Sequence, residues 1–232
     1  MGIESGYDRI LEEDPMRHGW LIIATMIGCV PELVSPEPPD LSDWSCPENT
    51  WNCDVPSASL TDDGVQYGFF PGRTLPRGLM VDQHGDMVDP WQFYGQVIVV
   101  DISTMWCSPC RQIACYVQHT HESYVDEGVV YLTVLPQNTH GQPPTVDDLQ
   151  DWARDFKITA PILSDPDHGW SRPGTPTNSY PGLVIVDREM VVHSRVEVSG
   201  PPDAIDLAVR RAVEQAGGLE PNPEAPKSYC DR

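Results

Sequence analysis

The chain has 232 residues, which suffices for one α/β domain with extensions or at most two small domains. Asp and Glu number 35 against 14 Lys and Arg, so the formal net charge is -21. This acidic field repels phosphate backbones and anionic headgroups, which argues against nucleic acid as a partner and against adsorption to anionic lipid. It predicts a solvated acidic surface, and a dedicated basic partner is the less favoured alternative.

The first 29 residues have the layout of a signal segment. Residues 1–15 are polar and acidic, and from Met16 a short basic stretch, an apolar stretch and a small residue lead to Cys29. The ending Met26–Cys29 resembles a bacterial lipobox, whose cysteine is lipidated. We therefore expect translation to start at Met16 and a lipid anchor at Cys29. A short buried helix and an uncleaved anchor are the alternatives, and no apolar run reaches the length of a membrane-spanning helix.

Residues 30–66 are rich in Pro, Ser, Asp and Glu, which predicts an acidic linker with little packed core. Cys46 and Cys53 lie close together within it. In an oxidising compartment such a pair most simply forms a local disulfide. A metal site is less favoured, because no His or second Cys pair lies at ligand spacing nearby.

The next elements are a hairpin and a buried strand. Leu79–Val88 predicts two short strands around a turn at Gln83–Asp86. Val97–Val100 is apolar and mostly β-branched, which is typical of a strand buried on both faces of a sheet. This strand leads directly into the motif Trp106-Cys107-Ser108-Pro109-Cys110.

A Cys-x-x-Cys placed where a buried strand turns into a helix is a redox motif. Pro109 suits the first helical turn, because its missing N–H has no intrahelical partner there. Cys107 then lies at the helix N-terminus, where unpaired N–H groups and the macrodipole favour a thiolate. The thiolate is the nucleophile in disulfide exchange, and Cys110 is near enough to resolve a mixed disulfide.

Beyond the motif, alternating apolar patterns predict a regular α/β order. The predicted elements are a helix to Tyr124 with Ile113 and Val117 inward, a strand Val129–Leu135, a helix from the capping box at Thr145, a strand Ala160–Leu163, a strand after Pro181, a hairpin at Asp187–Glu189 and a helix from Pro202 that Gly217 and Gly218 end.

Cys115 and Cys230 lie outside the Cys-x-x-Cys motif. Cys115 falls in the helix after Cys110, where we expect a free buried cysteine that packs as a small hydrophobe. Residues 219–232 predict a flexible tail that contains Pro. Cys230 in this tail is either free, or paired with Cys115 or with the Cys46/Cys53 segment, and the sequence does not decide between these.

The residues from Gly68 to Gly218 resemble the thioredoxin superfamily, and most closely the extracytoplasmic TlpA/ResA-like thiol–disulfide oxidoreductases with a redoxin domain. The Trp-Cys-x-Pro-Cys string carries the resemblance. It implies a thioredoxin-like domain over residues 67–218, with a central mixed sheet flanked by helices and an N-terminal β-hairpin addition. Asp101, six positions before Cys107, stands where thioredoxins place a buried acid that accepts the proton of the resolving cysteine.

The resemblance also implies a cis-proline immediately before a strand. Pro181 precedes the apolar run Gly182–Val186, and its cis bond would bring the Tyr180 backbone beside the Cys107 sulfur. Pro176 is a rival position, less favoured because a strand must follow directly. Trp106 would then shield one side of the site, while Tyr180 and Pro181 hold the substrate backbone.

These inferences predict a thiol–disulfide oxidoreductase of the cell envelope that acts on protein dithiol and disulfide substrates. The two residues between the cysteines are Ser108 and Pro109, and neither is a His. By analogy we therefore expect a reductant that a membrane electron donor re-reduces. No organic cofactor is implied. One alternative is a peroxiredoxin-like peroxidase of the AhpC/TSA type, for which Thr104 before Cys107 is a partial match. The other is a non-catalytic or copper-binding module with His168 or His193 as a distal ligand.

Overall fold

A computed structural model describes residues 45–53, 65–175 and 179–230. These residues belong to the unit Pro38–Arg232. The predicted signal segment, with Met16 and Cys29, lies outside the described ranges, as does most of the predicted linker. Among the helices that are described, none is both long and apolar enough to cross a membrane.

The described strands form one sheet in the order β2-β1-β5-β4-β3-β6-β7. Their bounds are β1 Met80–Asp82, β2 Met87–Val88, β3 Val97–Ile102, β4 Val129–Leu135, β5 Ile162–Ser164, β6 Gly182–Val186 and β7 Val192–Val196. β3 runs parallel to β4 and antiparallel to β6, so the sheet is mixed. The hairpin β1–β2 extends the sheet beyond β5 and forms one of its edges.

The helices are α1 Ser108–Tyr124, α2 Val146–Phe156, α3 Ser171–Gly174 and α4 Pro202–Gly217, with short 3-10 turns at Pro90–Phe93 and Val125–Glu127. α2 begins at the predicted capping box, in which Thr145 and Asp148 bond each other's backbone N–H. α4 ends where Gly218 adopts a left-handed conformation, with φ 62°.

Both faces of the central strands are covered, which explains their continuous apolar sequence. Side chains alternate along β3. Val97 and Val99 face a cluster built with α1, α2 and α4, whereas Ile98 and Val100 face a second cluster formed with Phe69, Trp91, Trp170 and other residues. The predicted fold class, a central mixed sheet flanked by helices with an added hairpin, is confirmed.

The expectation that Cys115 is a free buried cysteine is wrong, because Cys115 forms a disulfide with Cys230. Cys115 is only partly buried and lies off the apolar stripe of α1. The backbone of the C-terminal tail (residues 219–230) runs beside it, and the Tyr229 N–H donates to the Cys115 carbonyl at 2.7 Å.

Residues 219–230 of the tail are bonded to two helices. Besides the disulfide to α1, the buried Arg210 of α4 donates to the Glu224 carbonyl at 2.7 Å. The Asn222 N–H donates to the Glu214 carboxylate at 2.8 Å. These bonds connect a segment without regular secondary structure to the rest of the domain, whereas its flexibility stays a prediction from composition.

Candidate active site

The loop from β3 to α1 carries the two cysteines of the motif. Cys107 is the N-cap of α1 and has extended backbone angles, φ -78° and ψ 115°. Pro109 occupies the first turn, where a missing N–H costs no hydrogen bond. That turn contains no acidic side chain. The partial positive charge of the helix N-terminus therefore acts on Cys107 without an acidic side chain in the first turn to offset it.

Cys107 and Cys110 form a disulfide. Cys110 is fully buried and Cys107 is 6% exposed, so the sulfur nearer the surface belongs to Cys107. The backbone N–H of Cys110 points at Cys107 Sγ over 3.3 Å. When the disulfide is reduced, this N–H can stabilise a thiolate on Cys107. Cys107 therefore presents the more exposed of the two sulfurs, and the Cys110 sulfur lies beneath it.

The segment Tyr180–Pro181 lies against the disulfide. Its peptide bond is cis, and the Tyr180 carbonyl oxygen is 3.5 Å from Cys107 Sγ. The sheet register explains this proximity: Gly182, the first residue of β6, pairs with Ile102, the last residue of β3. The residues just before β6 therefore meet the loop just after β3. The rival Pro176 lies outside the described residues.

Trp106 forms one wall beside the disulfide. Its side chain is 51% exposed and meets the Tyr180 ring edge-on, with centroids 6.1 Å apart and an interplanar angle of 88°. The indole N–H donates to Gln137 Oε1 at 2.9 Å. The Gln137 carbonyl also accepts from the Met105 N–H at 3.1 Å. Gln137 thus holds both the backbone and the indole of the loop.

Asp101 is buried in the sheet on β3. It faces the side covered by α1, since it is in phase with Val97 and Val99. The Ser103 hydroxyl donates to Asp101 Oδ1 at 2.6 Å. Within the described residues, Oδ2 has no hydrogen-bond partner. The pKa of Asp101 is raised to about 7, because the effect of burial outweighs the hydrogen bond from Ser103, which lowers it. This carboxyl group can therefore gain or lose a proton near neutral pH.

A model of the AhpC/TSA family matches residues 70–195, a span that contains the motif, Asp101 and Pro181 and more than half of the chain. The chain belongs to the AhpC/TSA family. No curated protein matches it.

Solved structures similar to this AhpC/TSA-family chain have a thioredoxin-like fold. A candidate thiol:disulfide interchange protein DsbE from Chlorobium tepidum shares 19% identity at a TM-score of 0.52, over 64% of this chain and 98% of that one. The thioredoxin domain of a thiol-disulfide oxidoreductase from Bacteroides vulgatus shares 20% identity at 0.51, over 62% and 96%. A candidate protein disulfide isomerase from Bacteroides thetaiotaomicron shares 15% at 0.53, over 66% and 94%. Together with the family match, this shared fold confirms the predicted resemblance to the thioredoxin superfamily.

Two further polar residues of this AhpC/TSA-family chain, Ser103 and Gln137, border the site, and no sequence motif marks them. Both follow strands of the parallel pair: Ser103 comes directly after β3, and Gln137 lies two residues after β4. Polar side chains just beyond the carboxyl ends of adjacent parallel strands lie at one edge of the sheet, where ligand sites form. The position of these two residues after adjacent parallel strands is therefore the sequence signal that indicates them.

The two candidate copper ligands, His168 and His193, each have a neighbouring serine as hydrogen-bond partner. The His168 ring is bonded to the Ser171 hydroxyl and the His193 ring to the Ser194 hydroxyl. Across the parts of the chain that the structure describes, no group of three or more His, Cys, Asp or Glu is arranged to hold a metal ion. Cys46 and Cys53 form a separate disulfide. The segment between them contacts the β1–β2 hairpin, because the Asn49 side-chain amide donates a hydrogen bond to the Met87 carbonyl.

Proposed function

We propose that the protein is a thiol–disulfide oxidoreductase that exchanges disulfides with partner proteins through Cys107 and Cys110. The observation that carries the proposal is the Cys107–Cys110 disulfide at the start of α1, with the Tyr180 carbonyl 3.5 Å from Cys107 Sγ. An extended partner segment can pair with the backbone at Tyr180 while its own disulfide meets Cys107.

The reductive half of the reaction moves two electrons to the partner. The Cys107 thiolate attacks one sulfur of the partner disulfide, that bond breaks, and the other partner sulfur leaves as a thiolate and takes a proton. Cys110 then loses its proton to Asp101 and attacks Cys107, which forms the Cys107–Cys110 disulfide and releases the second partner sulfur. Trp106 and Tyr180 border the reacting sulfurs and limit the approach of water.

The direction of electron flow and the compartment belong to the same proposal. The protein works as a reductant in the cell envelope, anchored by a lipid on Cys29 and re-reduced by a membrane electron donor. The disulfides Cys46–Cys53 and Cys115–Cys230 support an oxidising compartment, since such bonds persist outside the cytosol. The absence of His between the cysteines of the motif supports the reductive direction by analogy with other exchange proteins.

The test is a redox titration of the full chain combined with a disulfide exchange assay. The protein is equilibrated with mixtures of a dithiol and its disulfide, and the Cys107/Cys110 couple is followed by alkylation and mass spectrometry. Reduced protein is then mixed with a peptide that contains a disulfide. We expect fast exchange, and a stable mixed disulfide through Cys107 in Cys110→Ser. If neither the exchange nor the trapped adduct forms, the proposed function is wrong.

A peroxidase is the second candidate, favoured by the match to the AhpC/TSA family. In this reading Cys107 reduces a peroxide and Thr104 helps to position it. The Cys107 N–H donates to the Thr104 carbonyl at 3.2 Å, and the Thr104 hydroxyl is buried without a partner in the described residues. Peroxide consumption that requires Cys107 but not Cys110 would favour the peroxidase over disulfide exchange.

A further inference from the structure

The two carboxylate oxygens of Asp101 are in different surroundings. Oδ1 accepts a hydrogen bond of 2.6 Å from Ser103, whereas Oδ2 has no partner among the described residues although it is buried. A buried carboxylate oxygen without a hydrogen bond is costly and uncommon, so it points to a role.

The position of Ser103 is fixed by the sheet. Its backbone N–H donates to the Val134 carbonyl at 3.0 Å, which continues the β3–β4 pairing by one residue beyond Ile102. Because side chains alternate along an extended strand, Ser103 lies on the same face as Asp101. Ser103 is fully buried, so its hydroxyl does not exchange this bond for one to bulk water.

The same face is covered by α1, whose first turn contains the fully buried Cys110. Thr133, which is opposite Asp101 on β4, is also buried there, and its hydroxyl has no partner in the described part of the chain. The free oxygen of Asp101 therefore lies in a buried layer between the sheet and the helix that carries the resolving cysteine.

We propose that Ser103 is a positioning residue for the resolving step: it anchors Oδ1 of Asp101 and thereby presents Oδ2 as the atom that takes the proton from the Cys110 thiol. The inference rests on the proposed function. When the S–H bond of Cys110 breaks, its proton goes to Oδ2, and the Cys110 sulfur attacks Cys107. When the Cys107–Cys110 disulfide is next reduced, the Cys110 sulfur takes this proton back from Asp101.

The Ser103 hydrogen bond also favours the ionised form of Asp101, because a hydroxyl donates more strongly to a carboxylate than to a carboxylic acid. Without it, burial acts alone and Asp101 holds its proton to higher pH. Ser103 therefore keeps Asp101 able to accept a proton at neutral pH.

The test compares the pH profile of resolution in the wild type, Ser103→Ala and Ser103→Thr. The mixed disulfide with a model peptide is preformed on Cys107, and its breakdown by Cys110 is timed from pH 5 to 9. The loss of a hydrogen bond to a charged group predicts that the apparent pKa in Ser103→Ala rises by about one unit, with a roughly tenfold slower rate at pH 6. Ser103→Thr keeps the hydroxyl and should keep the wild-type profile.

Ser164→Ala is the matched control, since Ser164 is a buried serine whose hydroxyl donates to a backbone carbonyl, that of Pro144, at 3.0 Å. An infrared titration of the Asp101 carboxyl band, identified by its loss in Asp101→Asn, gives the same answer without turnover. An unchanged profile, or an equal loss of rate at every pH, in Ser103→Ala overturns the inference. A wild type that forms no mixed disulfide overturns the proposed function instead.

Discussion

Helix α1 holds two disulfides whose sulfurs have different neighbours. At the helix N-terminus, Cys107 Sγ faces the Cys110 N–H at 3.3 Å. Two turns farther on, Cys115 Sγ lies 3.3 Å from the Arg111 carbonyl oxygen. Backbone N–H groups in the middle of a helix are already bonded to carbonyls four residues earlier, so none is free to stabilise a thiolate on Cys115.

The two disulfides also close chain segments of very different length. Cys107 and Cys110 are 3 positions apart, while Cys115 and Cys230 are 115 apart. Since the entropic effect of a cross-link grows with the length of the closed loop, the first bond contributes little to stability and the second contributes much. A disulfide that is broken in each reaction cycle should be of the first kind, because the fold then survives its reduction.

The largest effect should come from Cys107→Ser, which removes the sulfur that we propose attacks the partner disulfide. We expect the rate of exchange with a peptide disulfide to fall by roughly a thousandfold or more, because no covalent intermediate can form. The measurement is the initial rate under a fixed excess of dithiol.

The matched variant for this experiment is Cys115→Ser/Cys230→Ser, which removes the other disulfide of α1. Its rate should remain within a few-fold of the wild type. Exchange activity that disappears with the tail disulfide but survives Cys107→Ser would reverse the roles assigned to the two pairs.

The next effect concerns the pH dependence of stability. The folded-state pKa of Asp101 is raised from 3.8 to about 7 by burial, so the folded protein binds the proton more tightly than the unfolded chain. Stability from this group is then greatest below about pH 4, decreases as the pH rises to about 7, and stays level above it. At about 1.4 kcal/mol per pKa unit, the loss is on the order of 4 kcal/mol.

Asp101→Asn should remove this loss. We expect the free energy of unfolding of the oxidised variant, relative to that of the wild type, to increase between about pH 4 and pH 7 and then to remain constant. Urea titrations across this range measure it. The exposed Asp167→Asn is the control for the loss of one negative charge. A difference between Asp101→Asn and wild type that does not vary with pH would contradict the protonation argument.

A smaller loss is expected when the tail is released. Cys115→Ser/Cys230→Ser should lower the free energy of unfolding by about 2–4 kcal/mol, because the unfolded chain regains the freedom of a long loop. Hydrogen exchange should show faster exchange at Tyr229, whose N–H is bonded to the Cys115 carbonyl. If stability is unchanged while the tail stays protected, then the bonds of Arg210 and Glu214 hold the tail without the disulfide.

The same contrast shows what sequence can and cannot predict. β3, the motif and β6 are readable because each is a continuous local signal, and the sheet brings the residues before β6 to the end of β3. The pairing of Cys115 with Cys230 is not readable, since it depends on the path of a tail without periodic pattern. The sequence left this pairing as one of several alternatives, and the position of Cys115 off the apolar stripe of α1 is consistent with a partner outside the core.

The polar support of the site was missed for a similar reason. Ser103 and Gln137 are single polar residues after strands, and each acquires its role only when the β3–β4 register places it beside Asp101 or Trp106. Motif recognition identifies the groups that we propose react. The groups that orient them follow from strand register, which the sequence pattern alone did not give.

The smallest expected effect tests the orientation of Trp106. In Gln137→Ala the indole loses its 2.9 Å hydrogen bond while the bond from the Met105 N–H to the residue 137 carbonyl remains. A neutral hydrogen bond contributes about 1 kcal/mol, so we expect KM for a peptide disulfide to rise about fivefold with little change in kcat. Trp106 is half exposed and packs edge-on against Tyr180. Without the hydrogen bond its indole should therefore become more mobile, which would lower the polarisation of its fluorescence. The conservative Gln137→Glu keeps an acceptor and should retain the wild-type KM, whereas an equal loss in both variants would mean that Gln137 acts through the loop backbone rather than through the indole.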